Sequence, residues 1–421
     1  MGGIKEKNEV VIKLRKRIDA DNAEDVDENI KEIMEENPDA TPVLDASELE
    51  YISSLGLRIL MRLRKSAGSP VRINDVSPEI YEIFDVTGFL ELFDVRKRLR
   101  QVSVDGCEVI GKGFYGTVYR LDEDTIVKVY DSPESLSMIE NERKMARMAF
   151  LKGIPTAISY DIVKVGDSYG SVFELLKAKT FNDILCEKPQ DVDEIVRKYA
   201  GFVRLVHKIE MDEGTLVPAA ETFAGSLDVI REYLTDTQYN RLKALFAAMP
   251  KDNHVVHGDF QMKNVMLVNE EPMLIDMDTL RVGHPIFDLA GLYVTYQMFK
   301  ENAPDNTEQF LGISGELADR VWAKFVEYYF GMDAGVVGSA LADGNPGEGN
   351  PGDGASAVTE EEGAVSKLSD ILDRIRLVAR VRFLYIIAVS DLKDSDLGQV
   401  RIRHAGEHIE ALLGRVNELA F

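Results

Sequence analysis

Cysteine is scarce in this chain. Cys107 and Cys186 are the only two, too few for a disulfide framework or a cysteine metal pair, and a cytoplasmic setting is the expectation. Long apolar runs are missing as well. The longest strongly apolar stretch late in the chain, Phe383–Val389, falls far short of the roughly 20 residues a helix needs to span a bilayer. No apolar run follows the first Met, so neither a secretion signal nor a membrane partner is expected. Positive charge is in deficit, with 49 Lys and Arg against 73 Asp and Glu and a net charge of −24. The phosphates of nucleic acid would be repelled, which removes it from the expected partners. The same acidity suits a cationic substrate such as an amine, and it suits simple solubility equally well.

What the chain does have is length and apolar material. Its 421 residues, 45% hydrophobic, suffice for two cores at roughly 100–200 residues per domain. The densest chemistry lies in HVVHGDFQMKNVMLVNEEPMLIDMDTL, residues 254–280. Asp259 is followed five positions later by Asn264, and Asp276 comes just after an apolar, strand-like run. That spacing suits a phosphoryl-transfer loop. One carboxylate orients the attacking hydroxyl, and the Asn oxygen and second carboxylate hold Mg²⁺ against the phosphates.

A matching upstream segment is VIGKGFYGTVYRLDEDTIVKVY, residues 109–130. Gly111, Gly113 and Gly116 form G-x-G-x-x-G, followed by Val118 and by Lys128 in an apolar alternating run. Glycines let a hairpin backbone approach phosphate oxygens that a Cβ would hold off. A dinucleotide fingerprint should run directly into a helix, whereas Thr117-Val118-Tyr119 continues as strand and turns at Asp122–Asp124 into the strand of Lys128. That context predicts a phosphate-covering hairpin with a strand Lys on the α- and β-phosphates of ATP. In the helical stretch that follows, Glu142, or alternatively Glu140, is the candidate partner for Lys128.

From about residue 105 onward the chain resembles the aminoglycoside phosphotransferase and choline kinase-like branch of the protein-kinase fold. The resemblance is carried by the glycine loop, Lys128, HGDFQMKN (257–264), LIDMDT (274–279) and GHPIFDLAGL (283–292). It implies an α+β two-lobed fold, with an N-lobe over about 105–178 and a C-lobe over about 179–421. It also implies ATP and Mg²⁺ as cofactors, Asp259 as the catalytic residue, and Asn264 and Asp276 as metal ligands, with Asp278 assisting. Asp288 is implied as a buttress of the catalytic loop, and the segment from Glu174 to Leu176 as a hinge whose backbone meets adenine. The chain departs from protein kinases in having His257-Gly258-Asp259 for His-Arg-Asp, Gln261 where a Lys is usual, and Asp276-Met277-Asp278 for Asp-Phe-Gly. These departures point to a small-molecule hydroxyl acceptor.

Residues 1–100 read as alternating strands and helices, an α/β layer with a small sheet. A strand, turn and strand precede a helix from Ala23, a buried strand covers Pro42–Leu44, and an amphipathic helix begins near Ser54. Another strand and two short helices follow. Asp45-Ala46-Ser47, the segment Tyr51 to Leu57, and Val86-Thr87-Gly88-Phe89 resemble the STAS fold of anti-sigma-factor antagonists. The resemblance implies docking to an anti-sigma-type or other signalling protein, and places Ser54 at a position that partner kinases phosphorylate. A phosphoserine there would meet unpaired N–H groups at a helix N-terminus. Ser53 or Ser54 could equally be an ordinary helix cap.

Two further stretches complete the reading. Residues of about 334–365 are rich in Gly, Asn, Pro and acids and are expected to form a mobile insertion, with a helix after it carrying Leu368, Ile371, Leu372, Ile375 and Val378 on one face. His404-Ala405-Gly406-Glu407-His408 fits the H-x-x-E-H zinc pattern, but with no third ligand in evidence it reads as surface histidines on a terminal helix. The expected activity is phosphotransfer from ATP to a small-molecule hydroxyl under a STAS-like regulatory or docking domain. The alternative is a signalling kinase acting on a Ser of a STAS-like domain, its own Ser54 or a partner's. A third reading, an ATP-binding scaffold, is disfavoured by the intact catalytic set.

Overall fold

The computed structural model describes residues 9–68, 71–112, 116–132, 136–343 and 359–421. The chain divides into two compact units. One comprises residues 1–107, 129–133 and 161–170, and the other residues 108–128, 134–160 and 171–421.

In the first unit the strands Glu9–Lys13, Thr41–Asp45, Arg72–Val76 and Asp94–Lys97 form a sheet in that order. All three pairings are parallel. Parallel neighbours need crossover connections, and the helices Ala23–Glu36, Ser54–Ala67 and Pro78–Val86 supply them. Leu44 and Ile73 from the sheet meet Val26, Ile30, Ile59, Leu60 and Phe84 from the helices in one core. Phe84, Phe89 and Phe93 stack in succession, with ring centroids 5.4 and 5.0 Å apart. The edge strand Asp94–Lys97 is an addition to the sequence reading. Its polar, exposed side chains carry no apolar alternation.

Ser53 is the cap of the helix Ser54–Ala67, its Oγ accepting from the Gly56 N–H at 3.3 Å. Ser54 is therefore the first helical residue, and it is exposed. Gly56 sits where this first turn presses on two neighbouring side chains. A Cβ there would lie 2.7 Å from Ile52 Cγ1 and 2.8 Å from Ile18 Cγ2, both side chains buried.

The second unit holds the strands Val109–Lys112 and Gly116–Arg120 and most of Thr125–Tyr130 and Ser168–Glu174, which neighbour one another in that order. The first two pair antiparallel, with a register shift between Val109 and Gly111. The helix Leu136–Leu151 follows them in the chain. The rest is largely helical. Ile286–Tyr296 packs on the 29-residue helix Glu360–Ala388, and Val192–Val206 packs on Gly315–Phe330. Among these helices run the hairpin Val265–Val268 with Glu271–Leu274 and the short pairing of Val255–Val256 with Arg281–Val282.

The expected insertion over about 334–365 is narrower than its composition suggested. Ala334–Asp343 is helical, burying Val336, Val337 and Ala340, and the next helix already begins at Glu360. That start is fixed by a capping box in which Thr359 and Glu362 exchange hydrogen bonds. Residues 344–358 lie outside the described residues. The helix after it buries Leu368, Ile371, Leu372, Ile375 and Val378.

The close approach at Gly56 makes a test. Gly56→Ala is expected to destabilise the first unit by about 1–3 kcal/mol, because two packed isoleucines must yield to the new methyl. Urea unfolding followed by circular dichroism reads the shift.

Candidate active site

The centre of the site is a tight turn leaving the strand Val255–Val256. Its backbone is held by a buried carboxylate. Asp288, fully enclosed in the first turn of Ile286–Tyr296, accepts from the N–H of His257 at 2.8 Å and of Gly258 at 2.7 Å. Its Oδ2 also lies 3.0 Å from His207 Nε2, and His207 Nδ1 lies 2.7 Å from the Tyr329 hydroxyl. Burial is the largest influence on the Asp288 carboxyl and would raise its pKa. The hydrogen bond and charge of His207, the charge of His257 and the backbone N–H outweigh it and hold the group below its ordinary value. Gly258 has φ +88°, and a Cβ there would stand 2.6 Å from the Thr279 carbonyl oxygen, so only glycine fits. The Thr279 hydroxyl in turn donates to the His257 carbonyl at 2.7 Å.

This turn presents Asp259. Its Oδ2 accepts from Gln261 Nε2 and Asn264 Nδ2, both at 2.8 Å. Asn264 Nδ2 also donates to the Asp259 carbonyl at 2.9 Å, which leaves the Asn264 amide oxygen as the atom available to a cation. Asp259 Oδ1 points elsewhere, with Arg382 Nη2 at 3.8 Å.

A cleft of about 600 Å³ opens beside the turn. Gly111, Gly116, Val118, Lys128, Glu142, Glu174 and Asp276 all line it, together with apolar Ile126, Met266 and Ile275. Gly113, the middle glycine of the loop, lies outside the described residues. Asp259 and Asn264 are not among the lining residues; the hydrogen bond from Ile275 N–H to the Asn264 carbonyl, 3.0 Å, joins them to the cleft wall. Lys128 Nζ is 2.6 Å from Asp276 Oδ1 and 3.6 Å from Glu142 Oε1. Glu142 is buried and Glu140 exposed, which decides between the two. Asp276 has φ 64° and ψ 65°, a left-handed backbone that non-glycine residues rarely adopt. In the segment Glu174 to Leu176, expected to meet adenine, the Leu175 N–H donates to the Asp124 carbonyl at 2.7 Å.

Half-buried Asp278 has its pKa pushed up to about 6. Burial is the main cause, followed by the negative charges of Asp276 and Glu142. Asp278 thus has the carboxylates of Asp276, Glu142 and Asp259 acting on it against the single ammonium of Lys128. Lys263 lines the cleft too, and burial lowers its pKa. Its ammonium donates to the Phe310 carbonyl.

Several of these residues carried no local signal in the sequence. His207 and Tyr329 lie 81 and 41 residues from Asp288, and Arg382 lies on a helix far downstream of Asp259. Elsewhere, His404 and His408 share the helix Asp396–Leu413, and among the described residues no group of three or more His, Cys, Asp or Glu is arranged to hold a metal. No described helix is long and apolar enough to cross a membrane.

A glycine hairpin, a strand Lys paired to a helix Glu, and a buttressed His-Gly-Asp turn within one α+β unit define a kinase-type phosphotransferase acting on a hydroxyl. The chain belongs to the phosphotransferase enzyme family, whose sequence profile matches residues 106–324, more than half of it. A STAS domain precedes it, matched over residues 4–102. A Bordetella bronchiseptica protein named as an anti-sigma factor antagonist, BtrV, is 40% identical over 57 residues, 13% of this chain; the chain spans about half of that relative, 48%. Among solved structures, ADP-bound aminoglycoside phosphotransferase APH(2'')-Ib is 15% identical, with a TM-score of 0.43, over 82% of this chain and 99% of that one. A thermostable mutant of APH(4)-Ia, in a ternary complex with ADP and hygromycin B, is 12% identical, with a TM-score of 0.45, over 74% and 94%.

The Asp288 clamp has a testable pH signature. Because the folded carboxyl titrates below its ordinary 3.8, its stabilisation is present above that pH and is lost as pH falls through the folded value. Asp288→Asn is expected to lower stability by about 1–3 kcal/mol near pH 6. The gap between variant and wild type should narrow as urea titrations are taken down towards pH 3.

Proposed function

We propose that the second unit transfers the γ-phosphoryl group of ATP to a hydroxyl of a small molecule, with Mg²⁺ as cofactor and the STAS domain, residues 1–100, as a regulatory or docking module. The observation that carries this reading is Asp259. Its Oδ2 is locked by Gln261 and Asn264, while Oδ1 remains open to a hydroxyl proton beside a cleft that holds Lys128 and Asp276. In this mechanism the backbone of Gly111 and Gly116 covers the phosphates, the walls of Val118 and Ile126 take the base near Glu174, and Lys128, aligned by Glu142, holds the phosphates. Asp259 accepts the proton of the acceptor hydroxyl, whose oxygen bonds to Pγ as the bond from Pγ to the bridging oxygen breaks. ADP leaves with that electron pair. Asn264 and Asp276, with Asp278 beside them, would hold Mg²⁺, which neutralises charge on the phosphates. Positioning and charge compensation supply most of the acceleration. The two free cysteines suit a cytoplasmic setting.

A second reading is favoured by Ser54. It is exposed at the first position of its helix, with exposed Tyr51 and Leu55 beside it, while Ser53 does the capping. A phosphate there would gain unpaired N–H groups and change the charge of a face suited to docking an anti-sigma-type partner. In this reading the kinase acts on a STAS-domain serine, its own or a partner's.

Two experiments separate the readings. Mg·ATP is expected to raise the melting temperature of wild type but not of Lys128→Met, and Asp259→Ala is expected to bind ATP while losing at least about a hundredfold in phosphotransfer. Intact-mass analysis after incubation with Mg·ATP decides the acceptor. An added phosphate in wild type, absent from Asp259→Ala and Ser54→Ala, selects the signalling reading; no added mass with intact ATP binding selects the small molecule.

A further inference from the structure

The helix Glu360–Ala388 carries four arginines, and three are closely matched by carboxylates. Arg374 pairs with Asp370, Arg376 with Asp373 at 2.9 Å, and Arg380 with Glu301 through both oxygens. Arg382 differs. Among the described residues the one carboxylate within 4 Å of its guanidinium is the catalytic one, Asp259 Oδ1 at 3.8 Å, beyond hydrogen-bond reach. Yet the Arg382 side chain is only 21% exposed. It lies against Gly291, where even an added Cβ would stand 3.6 Å from Cζ and Nε, in ordinary van der Waals contact. Arg382 reaches the oxygen of Asp259 that Gln261 and Asn264 leave open, and it is not among the residues of the cleft that holds Lys128 and Asp276. Its fork of donors therefore faces the acceptor side of the reaction.

We propose that Arg382 is a specificity-determining residue that hydrogen-bonds a compact oxyanion carried by the acceptor next to its reacting hydroxyl. The acceptor is then an anionic hydroxyl compound, a hydroxy acid or a phosphorylated polyol, and not a polycation. This rests on the phosphotransfer reading above. A planar guanidinium binds carboxylate or phosphate through two parallel hydrogen bonds, which would fix the hydroxyl beside Asp259 Oδ1. A polyamine in the same place would meet a largely buried like charge.

The test measures ADP formation by the full-length protein with Mg·ATP and four probes: glycerate, glycerol 3-phosphate, neutral glycerol and polycationic kanamycin. One of the two anions is expected to be the best acceptor, and which one distinguishes carboxylate from phosphate. Arg382→Ala is expected to raise its KM by about tenfold to a hundredfold, with partial rescue by Arg382→Lys and a much smaller change for glycerol. Kanamycin outperforming both anions would overturn the proposal. So would an equal loss of kcat for every acceptor, which would make Arg382 a positioning residue for Asp259. If no probe raises ADP formation above the rate without acceptor, the oxyanion assignment fails. The underlying reading is then judged separately, by whether Mg·ATP stabilises wild type and not Lys128→Met.

Discussion

The carboxylate of Asp288 is the fixed point of the second unit. The turn that presents Asp259 buries two successive backbone N–H groups, and a buried donor without an acceptor is destabilising. Asp288 takes both, and it sits in the first turn of a helix, where the dipole favours negative charge. Through His207 and Tyr329 the same carboxylate is tied to the helices Val192–Val206 and Gly315–Phe330. The aim of the Asp259 carboxylate is therefore set by the packing of three helices. The loop itself contributes only the residue that can make the turn, Gly258.

Charge is handled differently on the two sides of that turn. Towards the cleft, Lys128 has two carboxylates within 4 Å, and burial, with the charges of Asp276 and Glu142 behind it, shifts Asp278 upward. In the proposed reaction Mg²⁺ would relieve this local crowding of carboxylates. Towards the acceptor side the imbalance has the opposite sign, since Arg382 meets Asp259 without a hydrogen bond. Asp259 thus stands between the crowded carboxylates near Asp278 and a single arginine that it meets only at ion-pair distance.

Much of this was legible in the sequence because short-range spacing encodes it. The step from Asp259 to Asn264 spans one turn, and Gly111 to Val118 spans one hairpin, so both survive as motifs. The α/β order of the STAS unit was readable for the same reason: Val43, Leu44 and Ile73 advertise buried strands. What escaped was non-local or polar. The strand Asp94–Lys97 holds its place by backbone pairing, with few apolar side chains to betray it. The helix Ala334–Asp343 was hidden by its glycines, although Val336, Val337 and Ala340 form a buried stripe. His207, Tyr329 and Arg382 acquire their roles only when distant helices meet, and no window of sequence contains both partners.

The bridge from Lys128 to Asp276 has a consequence for turnover. A largely buried ammonium needs an anionic partner, and Asp276 Oδ1, 2.6 Å from Lys128 Nζ, serves as placeholder for one. In the proposed reaction an arriving phosphate exchanges one anionic partner for another, so the net gain on binding is only the difference between the two. The same placeholder is waiting when product departs. A site arranged in this way gives up tightness of binding and gains ease of release, which suits a catalyst that must empty itself between cycles more than a receptor that must hold on.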